Sequence, residues 1–255
     1  LLRLLVKAGA EVQVVMTQAA CQFITPVTMQ ALSGRPVFTD LWDNRIDNGM
    51  AHIDFTRDVD AVVVAPASAD FIAKLANGLA DDLLSTLCLA RMCPLLVAPA
   101  MNKQMWENPA TRRNVAQIRA DGITVLGPDR GAQACGETGM GRMLEAEDLQ
   151  VGIEAFFQPR LLQGKHVLIT AGPTFEAIDA VRGITNLSSG KTGFALARAA
   201  RDAGAQVTLV AGPTTLVAPR GVKRVDVTTA REMMSAVMEQ LPADVFISVA
   251  AVADW

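Results

Sequence analysis

Three side chains in this sequence could do chemistry together: His52, Asn102 and Cys135. Asn102 lies in Ala98-Pro-Ala-Met-Asn-Lys-Gln-Met-Trp106, where an apolar run turns into a helical pattern. A helix N-terminus carries backbone N–H groups without helical partners, so an amide placed there can help to hold a carboxylate. The plainer reading is an N-cap asparagine flanked by two core methionines. His52, in Met50-Ala-His-Ile-Asp-Phe55, has the one side chain whose ordinary pKa lies near neutrality, so it could exchange a proton during turnover. A histidine hydrogen-bonded to one of the nearby carboxylates is the structural alternative. Cys135 sits in Gly131-Ala-Gln-Ala-Cys-Gly-Glu-Thr-Gly-Met-Gly-Arg-Met143. That stretch reads either as a compact surface loop with an inert thiol or as a mobile flap that brings a proton donor to a ligand.

Two further segments could hold phosphate. Pro66-Ala-Ser-Ala-Asp-Phe71 follows an apolar run and opens a helix, with Ser68 as its N-cap. Such a turn exposes N–H groups at the carboxyl edge of a parallel sheet, where open α/β folds take phosphorylated cofactors. Gly183-Ile-Thr-Asn-Leu-Ser-Ser-Gly-Lys-Thr-Gly193 resembles a P-loop but fails the spacing, since six residues instead of four separate Gly183 from Gly190. Ser188, Ser189 and Gly190 still stand where a helix begins, suited either to an anion or simply to capping.

The elements that must position these groups alternate strand and helix. Short β-branched runs at 11–16, 61–65, 94–97 and 123–126 read as strands, with helices at 68–77, 81–91 and 108–121 between them. Residues 1–5 read as part of a helix, 127–142 as a glycine-rich stretch without strands, and 145–157 as a helix. After a linker at 159–164 the alternation resumes: strand 166–170, helix 189–203, strands 206–210 and 224–227, helix 230–240, strand 244–249. Parallel sheets covered on both faces are the expected outcome of this order. The expected fold class is α/β: a three-layer flavodoxin-like or Rossmann-like domain over 1–158, then a second, partial Rossmann-like domain over 165–255. Because the chain opens within a helical pattern and closes just after a strand-like run, both ends are expected to have been cut from a longer protein.

Composition narrows the partners. The chain has 255 residues, 51% of them apolar, and a net charge of -3, which suits a sizeable core and not disorder. No dense Lys/Arg cluster suggests a nucleic acid. No apolar run approaches the ~20 residues that span a bilayer. The four cysteines are widely spaced, without C-x-x-C pairs or metal-ligand spacing, and fit a reducing cytoplasm better than a disulfide framework. No protein-held metal is expected.

The segments around His52, Asn102 and Cys135, in this order, resemble the flavin-dependent cysteine decarboxylases, most closely the 4'-phosphopantothenoylcysteine decarboxylases of coenzyme A biosynthesis. The resemblance implies FMN as cofactor. It implies FMN contacts at Thr17, at the turn Ala67, Ser68 and Ala69, and at Asn77 in the segment 74–83. It makes His52 the acid/base, Asn102 the holder of the substrate carboxylate and Cys135 the donor that protonates the enethiolate. Met101, Gly136, Gly139 and Gly141 would line the substrate. The implied reaction oxidises the substrate's terminal cysteine to a thioaldehyde at the expense of FMN, releases CO2 and returns the electrons, with no net redox change.

The second half resembles phosphopantothenate–cysteine ligase on Ile169-Thr-Ala-Gly-Pro-Thr174, Asp179, Arg182, Asn186 and 246–255. That resemblance implies CTP and Mg2+, with 4'-phosphopantothenate and cysteine as substrates. It assigns Asn186 to the acyl-cytidylate, Ser188, Ser189, Gly190 and Lys191 to anionic groups, and Ala250 and Asp254 to the pantothenate side. A trimer-based homo-oligomer, possibly a dodecamer, is implied for the flavin half. Two other readings remain open: a related flavin-dependent decarboxylase or prenyltransferase with another substrate, and a regulatory binding module without catalysis.

Overall fold

The computed structural model describes residues 1–43, 45, 55–133 and 136–253. His52, Cys135 and Asp254 therefore lie outside the described residues. The chain divides into two compact units, Leu1–Ile153 and Glu154–Trp255.

In the first unit, β1 (Val62–Ala67), β2 (Leu95–Pro99) and β3 (Thr124–Val125) form a parallel sheet in that order. The register pairs Val62 with Leu95 and Leu96 with Thr124. Every residue of β2 is buried, as expected for a central strand covered on both faces. Helices α1 (Leu2–Lys7) and α2 (Pro26–Ser33) come first. Between the strands run α3 (Ala69–Asn77), α4 (Leu83–Ala90), the short α5 (Lys103–Glu107) and α6 (Pro109–Ala120).

Local chemistry sets the helix starts. The Ser68 hydroxyl accepts from Phe71 N–H, Asp82 and Ser85 form a reciprocal capping box, and the Asn108 side chain accepts from Ala110 N–H ahead of Pro109. The core gathers Val64, Phe71, Ile72, Leu87, Leu95, Val97 and Ile118, with Met101 and Trp106 packed on its edge. α7 (Ala146–Phe157) closes the unit through Leu149, which packs with Ala98 and Leu144.

Two expectations for this unit change. The segment 11–16 makes only one bridge, Val15 to Phe38, with Met16 N–H donating to Phe38 O. Its apolar residues pack, but it lacks the run of paired neighbours that makes a strand. The stretch 127–142, expected to be strandless, holds an antiparallel hairpin, β4 (Asp129–Ala132) with β5 (Thr138–Arg142).

In the second unit, β6 (His166–Ala171), β9 (Gln206–Ala211), β10 (Lys223–Asp226) and β11 (Val245–Ser248) are all parallel, in the order β10-β9-β6-β11. Numbered by appearance among these four, that order is 3-2-1-4, the arrangement of a Rossmann half, whose direction reverses between β6 and β11. α8 (Lys191–Asp202) and α9 (Ala230–Glu239) cover the sheet, α9 opening on a Thr229–Glu232 capping box. An unforeseen hairpin, β7 (Phe175–Ala177) with β8 (Gly183–Thr185), is inserted after β6. The expected linker 159–164 is anchored in this unit: Leu162 N–H donates to Ala203 O at 2.8 Å, and Leu162 packs on the core around Ile169 and Leu209.

Candidate active site

The site of the first unit is built where β2 ends. Asn102 has the extended backbone of an N-cap (φ -70°, ψ 165°), and its Oδ1 accepts from Met105 N–H at 2.8 Å. An amide that caps through its oxygen still offers two N–H donors. Among the described residues the Asn102 Nδ2 group donates to no protein partner, and the residue is exposed. The helix start itself is largely used up, because Lys103 N–H donates to Gln133 Oε1 at 2.9 Å. A carboxylate here would meet the Asn102 side chain more than a row of open backbone donors. Met101 packs against the core, whereas Met105 is 44% exposed, so only one of the two expected core methionines is one.

The β4–β5 hairpin lies on this segment. Met101 N–H donates to Gly141 O at 2.9 Å, and Gln104 Nε2 donates to Glu137 Oε2 at 2.6 Å. Glycines permit the approach. A Cβ at residue 141, where φ is +127°, would sit 2.4 Å from Met101 O, and one at 139 would sit 2.6 Å from Lys103 Cδ. Gly136 (φ +84°) has open space around it and serves the turn. Between hairpin and strand end lies a cavity of about 380 Å³, lined by Ala100, Met101, Asn102, Gln133, Gly141 and Arg142 among others. The structure thus brings Met101, Asn102, Gly139 and Gly141 together. Gln133, which ties the two parts, was missed in the sequence; its partners are 30 and 7 residues away, and no local pattern announces them.

The expected cofactor residues divide. Ser68 is exposed at the carboxyl end of β1, and Ala67 is fully buried, so it can offer backbone only. The Thr17 hydroxyl accepts from Ala20 N–H at 3.1 Å. Both hydroxyls accept from a backbone N–H three residues further on and keep their own O–H to donate, which suits a phosphate. Asn77 is not brought to the Ser68 turn. It ends α3, about 12 Å along the axis from its start, with Nδ2 donating to Ala73 O at 2.8 Å. Lys74 beside it pairs with Asp81 at 2.8 Å, a contact that holds the Asp81 carboxyl below its usual range.

In the second unit the expected residues gather near the switch point between β6 and β11. Asn186 Nδ2 donates to Ala251 O (3.2 Å) and Val252 O (3.0 Å), and Val249 and Ala250 N–H both donate to Thr170 Oγ1. Gly190 (φ +75°) starts α8 with its Cα region against Gly172. The Ser188 hydroxyl accepts from Gly190 N–H at 3.4 Å and that of Ser189 from Lys191 N–H at 3.5 Å. Lys191 is exposed. Gly183 belongs to the hairpin instead: its missing Cβ makes room for the Phe175 ring. Asp179 and Arg182 bind each other, and the N–H groups of Val181 and Arg182 together with the guanidinium lower the Asp179 pKa.

Among the described residues no cluster of His, Cys, Asp and Glu could hold a metal, and no helix is long and apolar enough to cross a membrane.

Parallel sheets with their candidate groups at the carboxyl ends define an α/β protein of the ligand-binding, doubly wound kind. Residues 1–158 match the family model "Flavoprotein", and the chain belongs to that family. Residues 162–255 match the DNA/pantothenate metabolism flavoprotein C-terminal domain. Over 256 residues the chain is 54% identical to the coenzyme A biosynthesis bifunctional protein CoaBC of Vibrio parahaemolyticus, covering all of this chain and 64% of that protein. It is 49% identical to CoaBC of Escherichia coli K12, covering 63% of it. The chain thus spans just under two thirds of these relatives. Among solved structures, a PPC decarboxylase mutant complexed with pantothenoylaminoethenethiol is 33% identical with a TM-score of 0.56, over 61% of this chain and 88% of that one. The FMN binding protein AtHal3 is also 33% identical, with a TM-score of 0.54 over 61% and 86%. The flavodoxin-like fold is shared with both.

Proposed function

We propose that the first unit catalyses the FMN-dependent decarboxylation of 4'-phosphopantothenoylcysteine to 4'-phosphopantetheine in coenzyme A biosynthesis. The observation that carries this reading is the Asn102 amide, anchored through its oxygen with its N–H donors unused by the described residues, lining a cavity beside the β4–β5 hairpin. The similarity to CoaBC proteins along the whole chain supports the substrate. FMN would be held by the donor hydroxyls of Ser68 and Thr17 and by backbone at Ala67 and Ala69. When bound it supplies the electron sink that makes the substrate's carboxylate easy to lose.

The protein's own part is position and protons. Asn102 Nδ2 donates to the substrate carboxylate and fixes the bond to be broken. His52 takes and returns the proton of the oxidation and decarboxylation half. Cys135, in the connection between β4 and β5, protonates the enethiolate carbon. Met101 and Gly141 line the cavity, and by the same reading Gly136 and Gly139 would reach the substrate from the hairpin beside it. Assembly into trimer-based homo-oligomers and a cytoplasmic location belong to the same reading.

By the same reading the second unit belongs to a CTP- and Mg2+-dependent ligase joining 4'-phosphopantothenate to cysteine. Asn186, Ser188, Ser189, Gly190, Lys191, Ala250 and Asp254 would serve its acyl-cytidylate and pantothenate groups. Release of pyrophosphate from CTP in the presence of 4'-phosphopantothenate and Mg2+ tests that half.

The decarboxylase is tested by mixing the flavin-loaded protein with 4'-phosphopantothenoylcysteine and monitoring the loss of one CO2 by mass spectrometry. Loss is expected in the wild type and not in His52→Asn. No loss despite bound yellow flavin would sink the substrate assignment.

A further inference from the structure

Gln133 holds together three pieces of backbone that meet at the cavity. Its Oε1 accepts from Lys103 N–H at 2.9 Å, and its Nε2 donates to Met140 O at 3.1 Å. Its own N–H donates to Glu137 O at 2.8 Å, and its carbonyl accepts from Gly136 N–H at 2.9 Å. One side chain therefore links the end of β4, the middle of β5 and the first residue of α5. Lys103 directly follows Asn102, and its N–H is one of the helix donors that would otherwise lack a partner. A primary amide accepts from an N–H and donates to a C=O at the same time, which neither an apolar side chain nor an ionised carboxylate can do. The glycines at 139 and 141 let the hairpin come close, and Met101 N–H to Gly141 O and Gln104 Nε2 to Glu137 Oε2 also tie it to this segment. Gln133 adds the bond to the first N–H of α5, and it also lines the cavity of about 380 Å³ beside Asn102.

We propose that Gln133 is the positioning residue of this site: by clasping Lys103 N–H and Met140 O it fixes the hairpin on α5 and so aims the Asn102 amide at the substrate. The proposal rests on the decarboxylase reading for its substrate, although not for the clasp itself. Two variants separate the effects. Gln133→Ala removes both bonds. Gln133→Glu keeps an acceptor for Lys103 N–H but, when ionised, sets a carboxylate against Met140 O; when protonated it regains a donor.

In the FMN-loaded protein, Gln133→Ala is expected to lower kcat/KM for 4'-phosphopantothenoylcysteine by about tenfold or more, the scale of a misplaced substrate contact. Flavin content should be unchanged, and the amides of Lys103 and of β4 and β5 should exchange hydrogen faster. The deficit of Gln133→Glu should shrink as pH falls, while that of Gln133→Ala keeps a constant ratio to wild type. Wild-type kinetics in Gln133→Ala overturns the proposal. So does a loss wholly explained by reduced flavin or a lower melting temperature, with no acid recovery in Gln133→Glu. If the wild type itself releases no CO2, the functional reading fails. Hydrogen exchange then still decides: unchanged protection in Gln133→Ala removes the clasp as well.

Discussion

Asn102 has two ends with separable jobs. Its oxygen caps α5, its nitrogen donates to no protein partner among the described residues, and the residue lines the cavity. Asn102→Asp keeps the cap, and a negative charge is favourable at a helix N-terminus. Folding should therefore stay close to wild type in a thermal melt, while CO2 release falls about a hundredfold, as when one preorganised donor is removed. Asn102→Ala should lose the same turnover and in addition about 1 kcal/mol of stability from the missing cap. Equal turnover in Asn102→Asp and wild type would leave Asn102 as a cap alone. Cys88 gives a second residue-scale test. It is fully buried, and burial pushes its thiol up to about 12. Iodoacetamide at neutral pH, with peptide mapping afterwards, should therefore alkylate half-buried Cys93 well before Cys88. Residues whose role is fixed by near neighbours were legible in the sequence: Asn102 and Ser68 each cap a helix through an N–H three residues further along the chain. Gln133 was not, because its meaning depends on partners brought close only by the fold.

Elements were legible where one of the two hydrophobic periods runs long enough. β1, β2, α3, α4, α6 and the alternation of the second unit fall close to where the sequence places them. The β4–β5 hairpin was hidden because its glycines suggest a loop, although residue 141 is glycine so that a strand can lie on the Met101–Asn102 backbone, and residue 139 so that it can lie on the Lys103 side chain. Gly141→Ala should accordingly cost about 2–4 kcal/mol in a urea titration, combining left-handed strain with a backbone clash. Gly136→Ala, with strain but open space, should cost only about 1–2 kcal/mol. Equal costs would mean that the hairpin does not sit on this segment.

At the edge of the second sheet, Asp244 accepts from His166 N–H (2.8 Å) and Lys165 Nζ (3.0 Å), which together lower its pKa. A carboxyl with a lowered folded pKa stabilises above its unfolded value, about 3.9, and loses that contribution as pH falls through the folded value. Asp244→Ala should therefore lower the melting temperature at pH 7, and the gap to wild type should narrow below pH 4. A gap independent of pH would show that packing, and not the charge, is what Asp244 contributes.

At the scale of the whole molecule, the described residues form cores that share no member between the units. One set centres on Ile72, Leu95 and Ile118, the other on Ile169, Leu209 and Val210. The expected cofactor groups Thr17 and Ser68 belong to the first unit, and the sheet with the 3-2-1-4 order to the second. Both sheets point candidate ligand groups from their carboxyl ends, so fold alone does not say which unit takes FMN. Thermodynamic linkage does, because a ligand that binds only the native form of one unit stabilises that unit. At a hundredfold excess over Kd the gain is about 2.7 kcal/mol. Leu209→Ala, at a fully buried position in β9, marks the second unit independently, since such a truncation costs about 2–5 kcal/mol. Calorimetry of wild type and Leu209→Ala, each with and without FMN, should show the variant lowering one transition and FMN raising the other. If FMN raises the transition that Leu209→Ala lowers, the flavin site lies in the second unit or the two unfold as one, and the assignment of Ser68 and Thr17 to FMN loses its basis.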